Sequence, residues 1–240
     1  MKASDFFKRI INAVYPKDIK CINCSKELFK PMPYSLCTEC KSKLEFIDKC
    51  CFKCGAKTVS DSEDCKECCD KKFHYMTARA PVVYNSVARN LVLRLKAGGE
   101  KYLACYLADI MMTTYKKLKM DFDIIACVPL NFKTLKQRGF NQADLLARSL
   151  SEKTGIKYLP FIVEKTKETS LQVDRTREER LKNLTGAFSV TNPSEVEKKR
   201  VLLVDDVITT SATVSEIAKV LRSAGAKSVT AIAFARACML

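Results

Sequence analysis

The chain of 240 residues contains one histidine, His74, and no tryptophan. A single imidazole cannot build a histidine-rich metal site and could serve at most as one spare ligand beside others. No stretch approaches the roughly 18 consecutive apolar residues of a membrane-spanning helix. Met1 to Pro16 carries Lys2, Asp5, Lys8 and Arg9 and lacks an uninterrupted apolar centre, unlike a secretion signal. Phe6, Phe7, Ile10, Ile11 and Val14 instead have the spacing of one face of a short helix expected to dock on the body. No internal repeat is visible. A cytoplasmic protein is expected, and in that reducing setting cysteines point to metal rather than to disulfides.

Cysteine is what the chain has in excess, with 13 residues. Cys21-x2-Cys24 and Cys37-x2-Cys40 are separated by twelve residues, and Cys51-x2-Cys54 and Cys65-x2-Cys68 by ten. Two thiolates from one tight turn reach the same tetrahedral ion, so each set has the spacing of a four-thiolate zinc site. The pattern admits sequential pairing, one zinc per set, or crossed pairing between sets; Cys50 and Cys69 blur the register of the second. Eight thiolates suffice for two ions, which leaves His74 as a surface residue. Cys105, Cys127 and Cys238 lie in apolar surroundings and read as small core residues.

The formal charge is +15, from 42 basic and 27 acidic residues. Residues 1–78 hold 15 basic and 11 acidic residues, and the remainder 27 and 16, giving +4 and +11. The basic excess favours anionic partners such as phosphates, nucleic acid or an anionic membrane surface. It falls mainly on the part beyond the last cysteine pair, where strand and helix patterns begin to alternate. Two units are therefore expected: residues 1–78, an N-terminal helix with a double zinc ribbon, and residues 79–240, an α/β domain.

In that second part, strands are expected over Ala80–Tyr84, Ile124–Val128, Tyr158–Val163, Ala187–Val190, Val201–Val204 and Ser228–Ala235. Helices are expected over Ser86–Ala97, Tyr102–Leu118 and Ala143–Lys153, and from Thr213 onward, where Val214, Ile217, Ala218, Leu221 and Ala224 form one apolar face. A shorter helix is expected within Lys41–Asp48. This order predicts a mainly parallel sheet with helices on both faces.

The chain is organised around Val201–Thr213. Four apolar residues form a strand buried on both faces, Asp205 and Asp206 stand at its end, and Thr209, Thr210, Ser211, Ala212 and Thr213 lead into a helix. Ligands of open α/β sheets bind at the carboxyl ends of strands. A helix start offers free N–H groups to phosphate, and the acids can accept sugar hydroxyls or help hold Mg²⁺. A plain strand–turn–helix with two solvated aspartates is the alternative. The connection Pro129–Gln142 leaves another strand end with Lys133, Lys136 and Arg138 and no acid, as a pyrophosphate-holding loop would. Phe132 and Phe140 flank those cations, with Phe140 expected in the core.

The stretch around Asp205-Asp206 resembles the phosphoribosyl pyrophosphate (PRPP) loop of type I phosphoribosyltransferases. Together with Cys21–Cys40, Leu95-Lys96-Ala97-Gly98-Gly99, Val128-Pro129-Leu130, Arg138-Gly139-Phe140-Asn141-Gln142-Ala143, and Gln172, Arg177, Arg180, Asn183 and Gly186-Ala187-Phe188, the chain resembles ComF-type competence proteins of bacteria. The resemblance implies a type I phosphoribosyltransferase fold behind a zinc module, with Zn, Mg and PRPP or a related sugar phosphate as cofactors and ligand. It further implies a role in DNA uptake during natural transformation, with single-stranded DNA and other competence proteins, helicase-like ones among them, as partners. An active phosphoribosyltransferase acting on an unknown nucleobase-like acceptor is the alternative; no residue set names a base or a catalytic group. Ser211 stands where the family most often has glycine, and its Cβ is expected to crowd the phosphate. Asp205 and Asp206 are expected to be open to solvent or ligand and to contribute little to the fold.

Overall fold

The computed structural model describes residues 19–59, 65, 68, 71–166 and 184–237. The expected amphipathic helix within residues 1–16 lies outside them, as do Cys69, Gln172, Arg175, Arg177, Arg180, Lys182, Asn183 and Cys238.

Six strands form one parallel sheet. In chain order they are β1 (Ala78–Arg79), β2 (Val82–Val83), β3 (Ile124–Cys127), β4 (Lys157–Tyr158), β7 (Arg200–Ile208) and β8 (Ser228–Arg236); the spatial order is β1-β8-β7-β3-β4, and β2 also pairs with β8. β5 (Val163–Lys165) and β6 (Phe188–Val190) form a separate antiparallel pair. The two central strands are buried on both sides because helices cover both faces. On one face Leu202, Val204, Ile232 and Phe234 pack with α2 (Ser86–Lys96), α3 (Leu103–Leu118) and α5 (Gln142–Thr154). On the other, Val201, Leu203, Ala231 and Ala233 pack with α6 (Ala212–Ser223) and with Val163 and Phe188 of the hairpin. Alternate residues of a strand serve alternate faces, so one unbroken apolar run supplies both cores.

Prolines account for two departures from the expected strands. Pro81 lies between β1 and β2, and Pro160 between β4 and β5. Neither can donate to a ladder, and Phe161 adds a left-handed backbone at φ 60°. The short helix of the zinc module begins earlier than expected: α1 is Thr38–Lys43, with Cys37 as its N-cap. The expected boundary at 78/79 falls within the sheet. The Met76 amide donates to Val229 O at 2.8 Å and the Ala231 amide to Thr77 O at 2.9 Å, so the chain joins β8 before residue 78.

The connection after β3 contains a helix, α4 (Phe132–Arg138), where a loop was expected. The Asn131 side chain accepts from the Thr134 amide at 2.6 Å, and Gly139 closes the helix at φ 78°. Both cap signals are in the sequence; the helix lacks a buried residue of its own, so no apolar stripe announces it.

Candidate functional site

β7 runs past its two acids to Ile208, with Asp205 and Asp206 side by side near the carboxyl edge. Side-chain alternation sends them to opposite faces. Asp206 shares the face of Leu202 and Val204 and is only 3% exposed; Asp205 is half-buried, and one of its oxygens accepts from the Asp206 amide at 2.8 Å. The expected exposure of the pair is therefore wrong for Asp206, because the strand continues beyond it and Lys96 covers it. Lys96 Nζ lies 2.9 Å from Asp206 Oδ1. The other oxygen, Oδ2, is buried with no hydrogen-bond partner among the described residues. Burial, and then the neighbouring Asp206 carboxylate, push the Asp205 carboxyl above the usual range. A buried carboxylate oxygen left unsatisfied, beside a second acid at the strand end, suits a cation or a hydroxyl donor from a ligand. The residues therefore fit Mg²⁺ or a sugar.

Thr209–Ser211 turns from β7 into α6. Thr209 is exposed, Thr210 and Thr213 are half-buried, and Ser211 and Ala212 are buried. Ser211 has φ 59° and ψ 0°, the left-handed conformation for which glycine is the usual residue. Its hydroxyl caps nothing and is buried with no partner at hydrogen-bonding distance among the described residues. It faces the Tyr75 phenol, which burial pushes well above its usual range while the Ser211 hydroxyl works the other way. The expectation that Ser211 crowds a phosphate thus requires correction: the side chain points into the protein, leaving the outer side to backbone N–H groups, Thr209 and Thr210. A free helix start faces that side, and α6 has no acid in its first turn.

β3 is the neighbour of β7 in parallel register, from Ile124↔Val201 to Cys127↔Val204, so α4 leaves the same edge of the sheet. Lys133 and Lys136 are exposed there, and Arg138 is half-buried with Nη1 bonded to Gln142 Oε1. Phe132 is 76% exposed. Phe140 is half-buried rather than in the core, with Lys101 Nζ 4.9 Å from its ring centre. Behind the edge, the Tyr158 hydroxyl donates to Asp144 Oδ1 at 2.6 Å, and the Asn141 amide to Val128 O at 2.9 Å. These bonds fix the start of α5 against the strand ends.

The cysteines group sequentially, Cys21, Cys24, Cys37 and Cys40 in one tetrad and Cys51, Cys54, Cys65 and Cys68 in the other, with the four sulfurs of each within 4.8 Å of one another. Cys24 and Cys37 sulfurs are 3.7 Å apart, as are those of Cys54 and Cys65. A tetrahedral ion with metal–sulfur bonds of about 2.3 Å needs sulfurs about 3.8 Å apart. Both tetrads fit zinc. Burial opposes a charge on Cys21, but the amides of Cys24, Cys37 and Asn23 overcome it and lower the thiol; burial and neighbouring thiols raise Cys68. Four such groups cannot all ionise without a cation among them. His74 is exposed and belongs to neither tetrad. Cys127 is buried as expected, whereas Cys105 is half-exposed in a cleft, 3.8 Å from Lys153 Nζ.

Lys96 escaped selection as a site residue, although its Leu95–Gly99 segment carries the family pattern; nothing local says that it reaches Asp206. Arg236, 1% exposed at the end of β8, was also missed. An arginine closing an apolar strand is the one signal it gives.

A family model described as the phosphoribosyl transferase domain matches residues 118–237. Competence protein F of Haemophilus influenzae is 30% identical over 226 residues, covering 92% of this chain and 98% of its own. Competence protein ComFC of Streptococcus pneumoniae is 29% identical, over 91% and 100% of the two chains. The DNA utilization protein YhgH of Escherichia coli K12 is 28% identical, over 82% and 88%. With its parallel sheet and the turn after β7 in place, the chain belongs to the ComF-type competence protein family and has a type I phosphoribosyltransferase fold.

Proposed function

We propose that the protein binds PRPP, or a related sugar phosphate, together with Mg²⁺ at the turn after β7, and single-stranded DNA along the basic edge beside it, in the cytoplasm during DNA uptake. The observation that carries the first part is the buried Asp206 carboxylate, paired to Lys96 through one oxygen and unsatisfied at the other. In this reading Asp205 and Asp206 accept from ribose hydroxyls. The N–H groups at the start of α6, with Thr209, Thr210 and Thr213, receive the 5′-phosphate. Lys133, Lys136 and Arg138 take the pyrophosphate. Mg²⁺ supplies the charge neutralisation that a pyrophosphate beside two carboxylates needs. The two tetrads hold structural zinc in a module that precedes the sheet.

The relatives' names, with competence and DNA utilization in them, support the DNA part. Exposed Lys133 and Lys136 beside an exposed Phe132 supply charge for a backbone and a ring for a base. The experiment is a titration of labelled single-stranded DNA at rising salt, with and without PRPP and Mg²⁺, followed by a pyrophosphate-release assay on the same samples. Steeply salt-dependent binding without pyrophosphate release is expected. Binding that ignores salt contradicts the DNA assignment, and release with an added nucleobase would make the protein a transferase.

A further inference from the structure

The second cysteine tetrad lies directly behind the turn. Arg236 Nε donates to Cys54 O at 2.9 Å, and its Nη1 donates to Ile208 O at 3.0 Å and to Thr209 O. One fully buried guanidinium therefore joins a metal-ligand residue to the carbonyls of Ile208, the last residue of β7, and Thr209, the first of the turn. The knuckle is anchored on the sheet as well. The Ala78 amide donates to Lys53 O at 2.9 Å, and Arg79 Nη1 to Phe52 O at 2.8 Å. Gly55 packs so closely that a Cβ there would lie 2.4 Å from Ala78 O. Phe73 packs against the tetrad and stacks on Tyr75 with centroids 5.0 Å apart, and Tyr75 closes the inner side of Ser211. The first tetrad is placed differently: Arg94 Nη1 holds Asn23 O at 3.0 Å and ties that knuckle to α2, on the other face of the sheet.

We infer that metal in the second tetrad sets the conformation of the phosphate turn through Arg236, which is a positioning residue. The peptide unit is planar and trans, so its C=O and N–H point to opposite sides. With the carbonyls of Ile208 and Thr209 turned inward to Arg236, the N–H groups of Thr209 and Thr210 turn outward, to the ligand side. A bound ion fixes Cys51, Cys54, Cys65 and Cys68 about one point and hence the Cys54 carbonyl that orients the guanidinium. Loss of the ion frees that carbonyl, and the turn loses the arrangement that presents its N–H groups. The Ile208 carbonyl is also held by the Ala237 amide at 3.0 Å, so it is the Thr209 carbonyl that depends on the guanidinium. The two zinc sites then differ in role: the first supports the helical layer, and the second prepares the ligand site.

The test uses the full chain in three variants, Cys68→Ser, Cys40→Ser and Arg236→Lys, and two readouts. Backbone amide resonances of Thr209, Thr210 and Ser211 are recorded without ligand, and PRPP–Mg²⁺ affinity is measured by calorimetry. The amide readout stands without the ligand assignment; the affinity readout rests on the PRPP reading above. Cys68→Ser and Arg236→Lys should shift the three amides while those of β3 stay in place, and should weaken PRPP binding at least tenfold. Cys40→Ser should leave the turn amides where they are. Where Cys68→Ser does not fold, Arg236→Lys decides alone. Unmoved turn amides in Arg236→Lys, or equal movement in Cys40→Ser, would overturn the inference. A parent protein that ignores PRPP would instead remove the ligand reading and leave the coupling to be judged by the amides.

Discussion

At residue 211 two local penalties coincide. A serine held at φ 59° costs about 1–2 kcal/mol relative to a conformation it prefers, and its buried, unpartnered hydroxyl adds roughly 1–3 kcal/mol. Glycine removes both and costs about 0.5–1 kcal/mol in unfolded-chain entropy. Ser211→Gly should therefore raise stability by roughly 1–4 kcal/mol, seen as a higher midpoint of thermal unfolding, and PRPP should bind at least as well as before. Lower stability would show that the hydroxyl has a partner within the fold. The acids should separate in the same assay. Asp205→Asn removes a carboxylate whose charge burial already disfavours, so the ligand-free protein should be as stable or more so. Asp206→Asn deprives Lys96 of its partner and should cost about 1–2 kcal/mol, below the range for a fully buried pair because Lys96 reaches solvent. Equal effects of the two on denaturant midpoints would refute this division. The left-handed backbone at Ser211 was legible from the family pattern. The inward turn of its side chain was not, since Tyr75 comes from a distant part of the chain.

The strands meet at a second pair of acids and bases, at the end of the sheet away from the site. Asp123, just before β3, accepts from Arg200 at the start of β7: the amide and Nη2 at 2.8 Å and Nε at 3.1 Å. The guanidinium holds the Asp123 carboxyl well below the usual carboxylate range. Its folded pKa is depressed, so the unfolded chain binds the proton more tightly. The resulting stability is present above about pH 4, the unfolded value, and is lost as pH falls below it. Asp123→Asn should flatten the acid limb of a stability–pH curve and leave PRPP affinity unchanged. An acid limb as steep as the parent's would count against the assignment. The elements themselves were largely readable. Fully buried β7 and the one-sided α6 carry strong patterns, and only Pro81 and Pro160 divide strands whose apolar residues run on. α4 was not readable as a helix because none of its residues is buried, so no apolar stripe marks it. Spacing gave the cysteine sets but left their pairing open, because pairing depends on how the knuckles dock.

For the whole molecule, two tetrads predict two zinc ions per chain by metal analysis, and fewer than one would refute both sites. Removing zinc should cost much of the stability of the N-terminal part, since such sites supply on the order of 10 kcal/mol in small modules. The +11 balance beyond residue 78 predicts that replacing Lys133, Lys136 and Arg138 together by Ala weakens single-stranded DNA binding and lowers its salt slope; an unchanged slope would move the interface elsewhere. The ligand-binding predictions depend on one claim, that the turn after β7 is a working sugar-phosphate site. The most direct measurement is calorimetry of the full chain with PRPP and Mg²⁺, beside a variant carrying Asp205→Asn and Asp206→Asn. Saturable binding by the parent, one PRPP per chain, and its loss in the variant are the predicted result. No binding by the parent, or the same binding by both proteins, would contradict the account.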